Sequence, residues 1–209
     1  MTVHLQPRPR GRPRGFDAAN ALEQALRVFW TRGYDQASVD LLCSAMEMPR
    51  ATMYSLFGDK DGLFLAVVSH YAQTRLSFVA ETLSSGNDLL QDLHAFFKGV
   101  VQLSTAGRDP AGCLISCVLA DVAATNAEFR DERNRRFDAL EQRLEARLLR
   151  DGWPTSGSCP ANVAASLAAA MARGIVQRGR TGQSADDLYP VAISAAEALY
   201  RMRDTLPEK

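Results

Sequence analysis

The sequence is short of the residue types on which many enzymes and metal sites depend. Its 209 residues include only three histidines and four cysteines, and the formal net charge is zero. The sequence contains no nucleophile elbow and no phosphate-binding loop, and its cysteines and histidines do not have the spacing of zinc ligands. We therefore expect no catalytic residue, no metal site and no cofactor, and we do not expect an enzyme.

Long apolar runs are missing as well. No stretch reaches the ~18–20 apolar residues that a membrane-spanning helix requires. The N-terminal sequence MTVHLQPRPRGRPRG has no apolar segment of the kind found in signal peptides. These absences predict a soluble cytoplasmic protein, in which cysteines are free thiols by default.

The net charge of zero hides a basic arm, residues 1–15. This arm holds four arginines and no acidic residue, whereas residues 16–60 and residues 61–209 each carry a net charge of −2. A basic arm on a near-neutral body suggests a polyanionic partner. Its arginines, Arg12 and Arg14 among them, stand on an extended Pro/Gly scaffold that can follow a DNA minor groove. A tail that only solubilises the protein is the alternative.

Apolar residues recur at helical spacing along the rest of the chain, and no segment alternates with the period of a strand. We therefore expect an all-α protein with about nine helices. Breaks are predicted at SSGND (84–88) and AGRDPAG (106–112). The longer segments predict helices over roughly 60–83, 112–125, 127–150, 161–179 and 184–204.

The stretch MEMPRATMYSLFGDK, residues 46–60, predicts a short helix with an unusual surface. Proline is favoured at the first helical position, which needs no N–H donor, so we place Pro49 there. At 100° per residue Met53, Leu56 and Phe57 share one side, which we expect to be buried. The other side carries Arg50, Ala51, Tyr54 and Ser55, with Thr52 on its flank. Together with the short helix before it, this is helix-turn-helix architecture.

The polar side of that helix suits double-stranded DNA. A helix in the major groove needs a small residue at its closest approach and donors for guanine edges or phosphates, which Ala51 and Arg50 supply. Hydroxyl groups that can reach phosphates or base edges are present on Thr52, Tyr54 and Ser55. Lys60 and Ser38, each at a helix start, suit phosphate contacts. A surface helix that is polar by accident is the alternative.

Residues 17–71 resemble the N-terminal domain of TetR-family transcriptional regulators. The resemblance runs through ALEQALRVFWTRGYDQASVDLLCSAM and TMYSLFGDKDGLF. The family signature T-[LM]-Y-x-x-F-x-x-K-x-x-L is matched at Thr52, Met53, Tyr54, Phe57, Lys60 and Leu63. Two positions depart from the family: Glu47 replaces the usual glycine of the turn, and Pro49 replaces a serine. A left-handed glutamate costs about 1 kcal/mol or more, so we expect Glu47 to change the geometry of the turn.

The resemblance implies a basic arm (1–15), a three-helix DNA-binding domain (16–60) and an effector-binding and dimerisation domain (61–209). It implies that Tyr54 and Lys60 clamp phosphates, and it places near base edges Arg50, Ala51, Thr52 and Ser55. It also implies a homodimer through the last two helices, whose alanine-rich faces need a second surface to cover them. The expected function is a repressor released from a palindromic operator by a small molecule; an activator is the alternative.

The effector site is expected among aromatic and sulfur-bearing side chains of the second domain. The candidates are Phe78, Phe96, Phe97, Cys117, Phe137 and Met171. Core packing is the alternative for each of them. The stretch GCLISCVLAD resembles the sixth helix of a subset of the family, and its Cys113 and Cys117 are i, i+4 neighbours. A thiol-based sensor of oxidants or electrophiles is therefore an alternative function, and two buried apolar thiols are the other interpretation.

Overall fold

Helices make up the architecture, and the computed structural model describes residues 17–107 and 110–204 without any strand in that part. In chain order the helices are α1 Ala18–Gln36, α2 Val39–Ala45, α3 Arg50–Phe57, α4 Lys60–Arg75, α5 Ser77–Leu83, α6 Leu89–Thr105, α7 Ala120–Val122, α8 Ala127–Arg150, α9 Ala161–Arg180 and α10 Ala185–Asp204. A π-helical turn, Ile115–Leu119, runs directly into α7. The all-α class is confirmed. None of the helices in the described ranges combines the length and the apolar character that a bilayer crossing needs.

The first two helices begin where the sequence places their caps. The carboxylate of Asp17 accepts a hydrogen bond from the N–H of Asn20 at 3.1 Å, and the hydroxyl of Ser38 accepts one from Leu41 at 3.2 Å. Such caps satisfy backbone donors that have no partner inside the helix. Fully buried apolar side chains then join α1, α2, α3 and α4 into one core: Leu26, Phe29, Leu42, Met53 and Leu63.

One long helix over 60–83 was predicted, and that prediction was wrong. The chain breaks at Leu76, with φ −107° and ψ 11°, and divides into α4 and α5. No proline or glycine marks this break in the sequence. The break brings the Phe78 ring against α6 at Gly99, where an added Cβ would lie 2.4 Å from the ring. Tertiary packing of Phe78 therefore decides a boundary that local patterns do not show.

The segment 112–125 also differs from its prediction, which was a regular sixth helix. The N–H of Leu119 donates to the carbonyl of Leu114 at 3.0 Å, an i to i−5 bond that widens the helix by one residue. Only α7, which has three residues, continues it as an α-helix. Single π-helical turns of this kind often occur at functional sites.

The second domain is built mainly from α6, α8, α9 and α10. The predicted α8 agrees with the structure at both ends, and α9 and α10 lie where the last two helices were expected. A buried ion pair joins α8 to α6, because Arg147 donates from Nε to the Asp92 carboxylate at 2.6 Å. The Nη2 group of Arg147 also donates to the carbonyl of Asn87 at 2.9 Å. These bonds fix α8 relative to the start of α6.

Candidate nucleic-acid interface and effector cavity

The turn between α2 and α3 is a Schellman motif with a glutamate at its left-handed position. The N–H of Met48 donates to the carbonyl of Cys43 at 2.9 Å, and that of Glu47 donates to Ser44 at 3.2 Å. Glu47 has φ 52°, and no other non-glycine residue of the described part has a positive φ. The expectation of an altered turn was therefore wrong. The left-handed geometry is kept, and the buried side chains of Met46 and Met48 pack on either side of Glu47.

Helix α3 starts one residue later than predicted and buries less of its apolar side. Pro49 is the N-cap, with φ −63° and ψ 145°, rather than the first helical residue. Its carbonyl accepts hydrogen bonds from Thr52 and Met53 at 3.0 and 3.1 Å. Met53 is fully buried, but Leu56 is 51% exposed, so the prediction that Leu56 anchors the helix was wrong. The helix is anchored by Met53 and by half-buried Phe57.

The outer face of α3 is exposed along its whole length. Every predicted DNA-facing side chain of the helix lies on it: Arg50, Ala51, Thr52, Tyr54 and Ser55. Tyr54 is 46% exposed, with its ring partly covered and its hydroxyl without a partner among the described residues. The face therefore presents donors, acceptors and one small residue on a rigid two-turn helix.

The guanidinium of Arg50 is held by a contact that the sequence pattern did not indicate. Its Nε donates to Oδ1 of Asp40 on α2 at 2.5 Å, and its Nη2 contacts the same oxygen. The hydrogen bond from Arg50 lowers the pKa of Asp40, and the same bond raises the pKa of Arg50. Both side chains are more than half exposed, so solvent screens the pair and it exchanges readily for another partner.

The remaining predicted DNA contacts lie around α3. Ser38 is exposed at the start of α2, where it also serves as the cap. Lys60 is half-buried at the start of α4, with its ammonium group 4.1 Å from the centroid of the Tyr34 ring. That cation–π contact was not foreseen, and it fixes the direction in which the lysine points. Arg12 and Arg14 lie outside the described residues.

A hydrogen-bonded junction links the first three helices to the second domain. The hydroxyl of Tyr34 donates to Oδ1 of Asp61, and Nδ2 of Asn126 donates to Oδ2 of the same carboxylate at 3.0 Å. Asn126 is the N-cap of α8, and its Oδ1 accepts from the N–H groups of Glu128 and Phe129. Burial and the bond to Asp61 raise the pKa of Tyr34 well above its usual range. The phenol is therefore a neutral donor at any physiological pH.

Aromatic rings surround this junction. The Tyr34 ring lies 5.1 Å from the ring of Phe64 on α4 and 5.1 Å from the ring of Phe129 on α8. The rings of Phe64 and Phe129 lie 5.2 Å apart and nearly perpendicular. Edge-to-face contacts at such distances favour one arrangement over others. The start of α8 is thus packed and hydrogen-bonded to the end of α1 and the start of α4.

A cavity of about 330 Å³ lies between the end of α4, α5, α6, α8 and α9. Three of the predicted effector residues line it: Phe78, Phe96 and Phe137. Most of the other lining groups are aliphatic, including Leu76, Val100, Leu140 and Val176. Sequence reasoning did not select the arginines of the wall, which are Arg136, Arg143 and Arg173. They come from α8 and α9, so only the packing of these helices brings them together.

The other three predicted effector residues do not line this cavity. Phe97 is fully buried in the core beside Phe96, at 5.1 Å between ring centroids. Cys117 points towards Gly112 and Arg180, since a Cβ built on Gly112 would lie 3.2 Å from its sulfur. Met171 lies on the opposite side of α9, in a groove between α9 and α10. One cysteine does line the cavity, Cys113.

The two neighbouring thiols therefore differ in their surroundings. Cys113 and Cys117 are both buried, at 5% and 3% exposure. Burial raises the pKa of the Cys117 thiol, although the guanidinium of Arg180 nearby acts in the opposite direction. Neutral thiols react slowly, because the thiolate is the nucleophile.

The outer faces of α9 and α10 expose apolar side chains that no described residue covers. Val163 is 49% exposed and Leu167 is 36% exposed on α9, and Ile193 is 50% exposed on α10. Small residues separate them, and Gly174 lines the shallow groove between the two helices. These two helices thus carry three of the large apolar side chains that remain exposed in the described part of the chain.

Comparison with known sequences identifies the N-terminal region. Residues 21–67 match the sequence model of the tetR family of bacterial regulatory proteins. The HTH-type transcriptional repressor ComR of Escherichia coli (strain K12) is 32% identical over 107 residues, which are 51% of each chain. The HTH-type transcriptional repressor BdcR of the same organism is 25% identical over 199 residues, covering 95% of this chain and 97% of BdcR. The chain thus spans about half of ComR and nearly all of BdcR.

Solved structures agree with the fold over most of the chain. A cysteine mutant of the TetR family transcriptional regulator CifR, in complex with 26-bp double-strand operator DNA, is 25% identical with a TM-score of 0.74. The match covers 90% of this chain and 99% of that one. SCO4454, a TetR-family regulator from Streptomyces coelicolor, has a TM-score of 0.76 over 88% of each chain at 17% identity, which supports the fold alone. The comparisons therefore identify residues 21–67 as a region of the tetR family, in a chain whose fold is that of TetR-family transcriptional regulators.

Proposed function

We propose that the chain is a ligand-responsive repressor that leaves a palindromic operator when a small molecule enters the cavity. The observation that carries this proposal is the position of α8. This helix lines the cavity at Phe137 and Leu140. Its N-cap, Asn126, bonds Asp61, the residue after Lys60 at the start of α4. One helix thereby touches both the cavity and the edge of the DNA-facing surface.

In this proposal residues 16–60 form the DNA-binding domain and residues 61–209 form the effector and dimerisation domain. The exposed face of α3 enters the major groove, with Ala51 at the closest approach. Arg50, Thr52 and Ser55 read base edges or bind nearby phosphates, because their donors and acceptors are exposed on one rigid face. Tyr54 reaches a phosphate with its free hydroxyl.

Phosphate contacts fix the register of α3 in the groove. Lys60 is well suited to this role, because the Tyr34 ring holds its ammonium group at the start of α4. Ser38 adds a hydroxyl at the start of α2. We extend the same role to the basic arm, in which Arg12 and Arg14 follow the adjacent minor groove.

Arg50 has to exchange partners when DNA binds. In the free protein its guanidinium is occupied by Asp40 at 2.5 Å. A guanine edge offers two acceptors to a guanidinium, which compensates for the lost carboxylate only at the correct base. Asp40 therefore acts as a competitor that weakens binding to incorrect sequences more than to the operator.

A homodimer through α9 and α10 supplies the two reading heads. The exposed side chains of Val163, Leu167 and Ile193 give these helices an apolar surface to cover. A two-fold axis along this surface places one α3 in each of two successive major grooves, about 34 Å apart. A palindromic site is then the natural partner of the dimer.

The junction at Asp61 gives the ligand a way to act on DNA binding. A molecule that fills the space between α5 and α8 moves α8 relative to α4. Asn126 then moves the Asp61 carboxylate, and Phe129 moves the Tyr34 ring. The Tyr34 ring in turn holds the ammonium group of Lys60. Small shifts at a packed junction become a rotation of the whole head, since packed contacts do not deform continuously.

Repression rather than activation is supported by the relatives. ComR and BdcR are named as transcriptional repressors, and BdcR matches along nearly the whole chain. CifR was solved on operator DNA. We carry these properties to the present chain as part of the proposal.

Fluorescence anisotropy with the DNA that flanks the chain's own gene tests the DNA-binding surface. Wild type is expected to bind this DNA about 10³-fold tighter than a shuffled duplex of equal composition. The double variant Thr52→Val/Tyr54→Phe should lose about tenfold or more, because it removes two hydroxyl contacts. Thr74→Val removes an exposed hydroxyl from α4 and serves as the matched control, which should bind like wild type.

Equal binding of wild type and the double variant would contradict the assignment of α3. Equal binding to flanking and shuffled DNA would contradict an operator at that place. A reporter gene behind the same flanking DNA then separates repression from activation. Deletion of the regulator should raise reporter expression if the chain represses.

A thiol-based sensor is the second candidate, and one observation favours it: Cys113 is among the residues that line the cavity. An electrophile such as a maleimide, once inside, would form a carbon–sulfur bond with Cys113. The thiol proton would pass to the neighbouring carbon of the opened double bond. The burial of both thiols weighs against a response to oxidants in bulk solvent.

Serine variants separate the two candidates. In wild type, N-ethylmaleimide should release the operator only if Cys113 or Cys117 reacts. The double variant Cys113→Ser/Cys117→Ser should then resist release, while Cys159→Ser, which changes a half-buried thiol elsewhere, should still respond. Equal release of operator from the double variant and wild type would remove the thiol-based function.

A further inference from the structure

We propose that the cavity takes an organic acid, a molecule with an apolar ring or branched body and one carboxylate. The proposal rests on the proposed function in one respect, namely that this cavity is the effector site. It adds the chemical class of the effector, which follows from the charges and the shape of the wall.

The sign of the charge follows from the lining residues. Every charged side chain of the described part that lines the cavity is an arginine: Arg136, Arg143 and Arg173. No aspartate, glutamate or lysine of the described residues joins them. A cation in this cavity would be repelled by three guanidinium groups. An anion would contact no negatively charged side chain among the lining residues.

Two of these arginines keep donors for a ligand. Arg143 is exposed and has no ion pair or hydrogen bond within the described part of the chain. Arg173 forms a long ion pair with Glu141, at 3.4 and 3.5 Å, which is weaker than a bond of usual length and can exchange for a ligand. Arg136 is different, because its Nε donates to Glu132 at 2.6 Å. Arg143 and Arg173 are therefore the groups that would bind a carboxylate.

The charge balance of the surroundings leaves the site positive. Glu132 accepts from both Arg135 and Arg136, so one carboxylate serves two guanidinium groups. Glu141 also accepts from the hydroxyl of Ser166 at 2.5 Å, which divides its oxygens between two donors. A ligand carboxylate would thus supply a negative charge that the protein itself does not provide.

The remaining wall explains why the ligand must also be apolar. Phe78, Phe96, Val100 and Val176 contribute rings and methyl groups. The uncharged polar side chains of the wall are Gln73, Ser77 and Ser116, fewer groups than a sugar or a nucleotide would need. Phe96 and Val100 are buried, whereas Arg143 is exposed. The apolar body would therefore enter first, and the carboxylate would remain at the mouth.

Arg173 also has the geometry of a clamp. Its guanidinium carbon lies 4.9 Å from the centroid of the Phe137 ring, and Phe137 itself lines the cavity. The ring helps to hold the guanidinium in place, and a ligand carboxylate would replace Glu141, whose Oε1 lies 3.4 and 3.5 Å from Nη1 and Nη2. Bidentate pairing of this kind is stronger and more selective than a contact with lysine.

A matched pair of probes tests the proposal by isothermal titration calorimetry on the full-length protein. 1-Naphthoate carries the carboxylate, and 1-naphthamide has the same shape without the charge. We expect the acid to bind about tenfold tighter than the amide. The preference should shrink when salt rises from about 0.05 M to about 0.5 M, because Arg143 is exposed and screened. Equal affinities, or no binding of the acid, would overturn the proposal.

Single variants locate the charge. Arg143→Gln and Arg173→Gln should each lower the affinity for 1-naphthoate by about tenfold. The affinity for 1-naphthamide should change by less than about twofold. Arg133→Gln removes an arginine from α8 that does not line the cavity, and it should bind both probes like wild type. Arg143 makes no contact that the fold needs, so its variant keeps the test valid if Arg173→Gln is unstable. An unchanged affinity of Arg143→Gln for the acid would contradict the site.

Operator release is measured separately, so that the two proposals fail in different ways. If acids bind but operator affinity does not change, the ligand class stands and the ligand-responsive function falls. If neutral molecules release the operator and acids do not bind, the function stands and the ligand class falls.

Discussion

Replacing Glu47 by glycine would test how the left-handed turn between α2 and α3 is held. Glu47 adopts φ 52° at the C′ position of a Schellman motif. The ends of α8 and α9 use the same hydrogen-bond pattern, but there glycines occupy the position, Gly152 and Gly182. The left-handed conformation costs a residue with a Cβ about 1–2 kcal/mol.

The expected gain is smaller than that cost. Glycine loses about 0.5–1 kcal/mol more conformational entropy on folding than a residue with a side chain. The net increase in the free energy of unfolding of Glu47→Gly is therefore about 0.5–1 kcal/mol. For a chain of this length it corresponds to a rise in Tm of about 1–4 °C. Chemical denaturation followed by circular dichroism resolves a change of this size.

Glu47→Gln is the control that separates charge from conformation. The Glu47 side chain is exposed and has no hydrogen bond or ion pair in the described ranges, so its amide variant should be as stable as wild type. Both variants lose one negative charge. If a DNA phosphate lies about 10 Å away, removal of this repulsion raises DNA affinity about twofold at low salt in both variants. The reasoning is refuted if Glu47→Gly is no more stable than Glu47→Gln.

Three further predictions concern charged groups. Asp40→Asn should free Arg50 and raise affinity for shuffled DNA more than affinity for operator DNA. Anisotropy titrations with both duplexes measure this difference. An equal gain for both duplexes would contradict the proposal that Asp40 competes with DNA for Arg50. Asp92→Asn should lower the free energy of unfolding, measured in urea, by about 3–5 kcal/mol, because buried Arg147 keeps only the longer contact with Asp151 at 3.9 Å. A loss under about 1 kcal/mol would contradict this. Burial raises the pKa of Glu132, but the hydrogen bonds and charges of Arg135 and Arg136 lower it by more than burial raises it. The pKa of Glu132 is therefore below its ordinary value. The stability that wild type has over Glu132→Gln should therefore be full above the ordinary pKa of glutamate and fade as pH falls below it; a pH-independent difference would contradict it.

Local patterns predicted much of the first domain. Caps at Asp17 and Ser38 and the buried side of α3 at Met53 follow from rules that act over a few residues. The bounds of α8 were also predicted, because its charged face contrasts with a regular apolar stripe. The position of Pro49 was missed by one residue, since a proline suits both the cap and the first turn.

The features that connect the two domains could not be predicted. Asp61 and Asn126 are 65 residues apart, and each side chain alone is an ordinary surface residue. The break at Leu76 depends on the fit of Phe78 to Gly99, which only the packed helices create. The same holds for Arg143 and Arg173, because neither residue is unusual until α8 and α9 share a cavity.

The central claim is that occupation of the cavity and operator binding are coupled. Thermodynamic linkage requires that coupling to be reciprocal. The most direct measurement is therefore the Kd of 1-naphthoate, determined with and without saturating operator DNA. We predict that operator DNA weakens binding of the acid by the same factor, about 5–150-fold, by which the acid weakens binding of the DNA. An acid that binds free protein and the DNA complex equally well would contradict it.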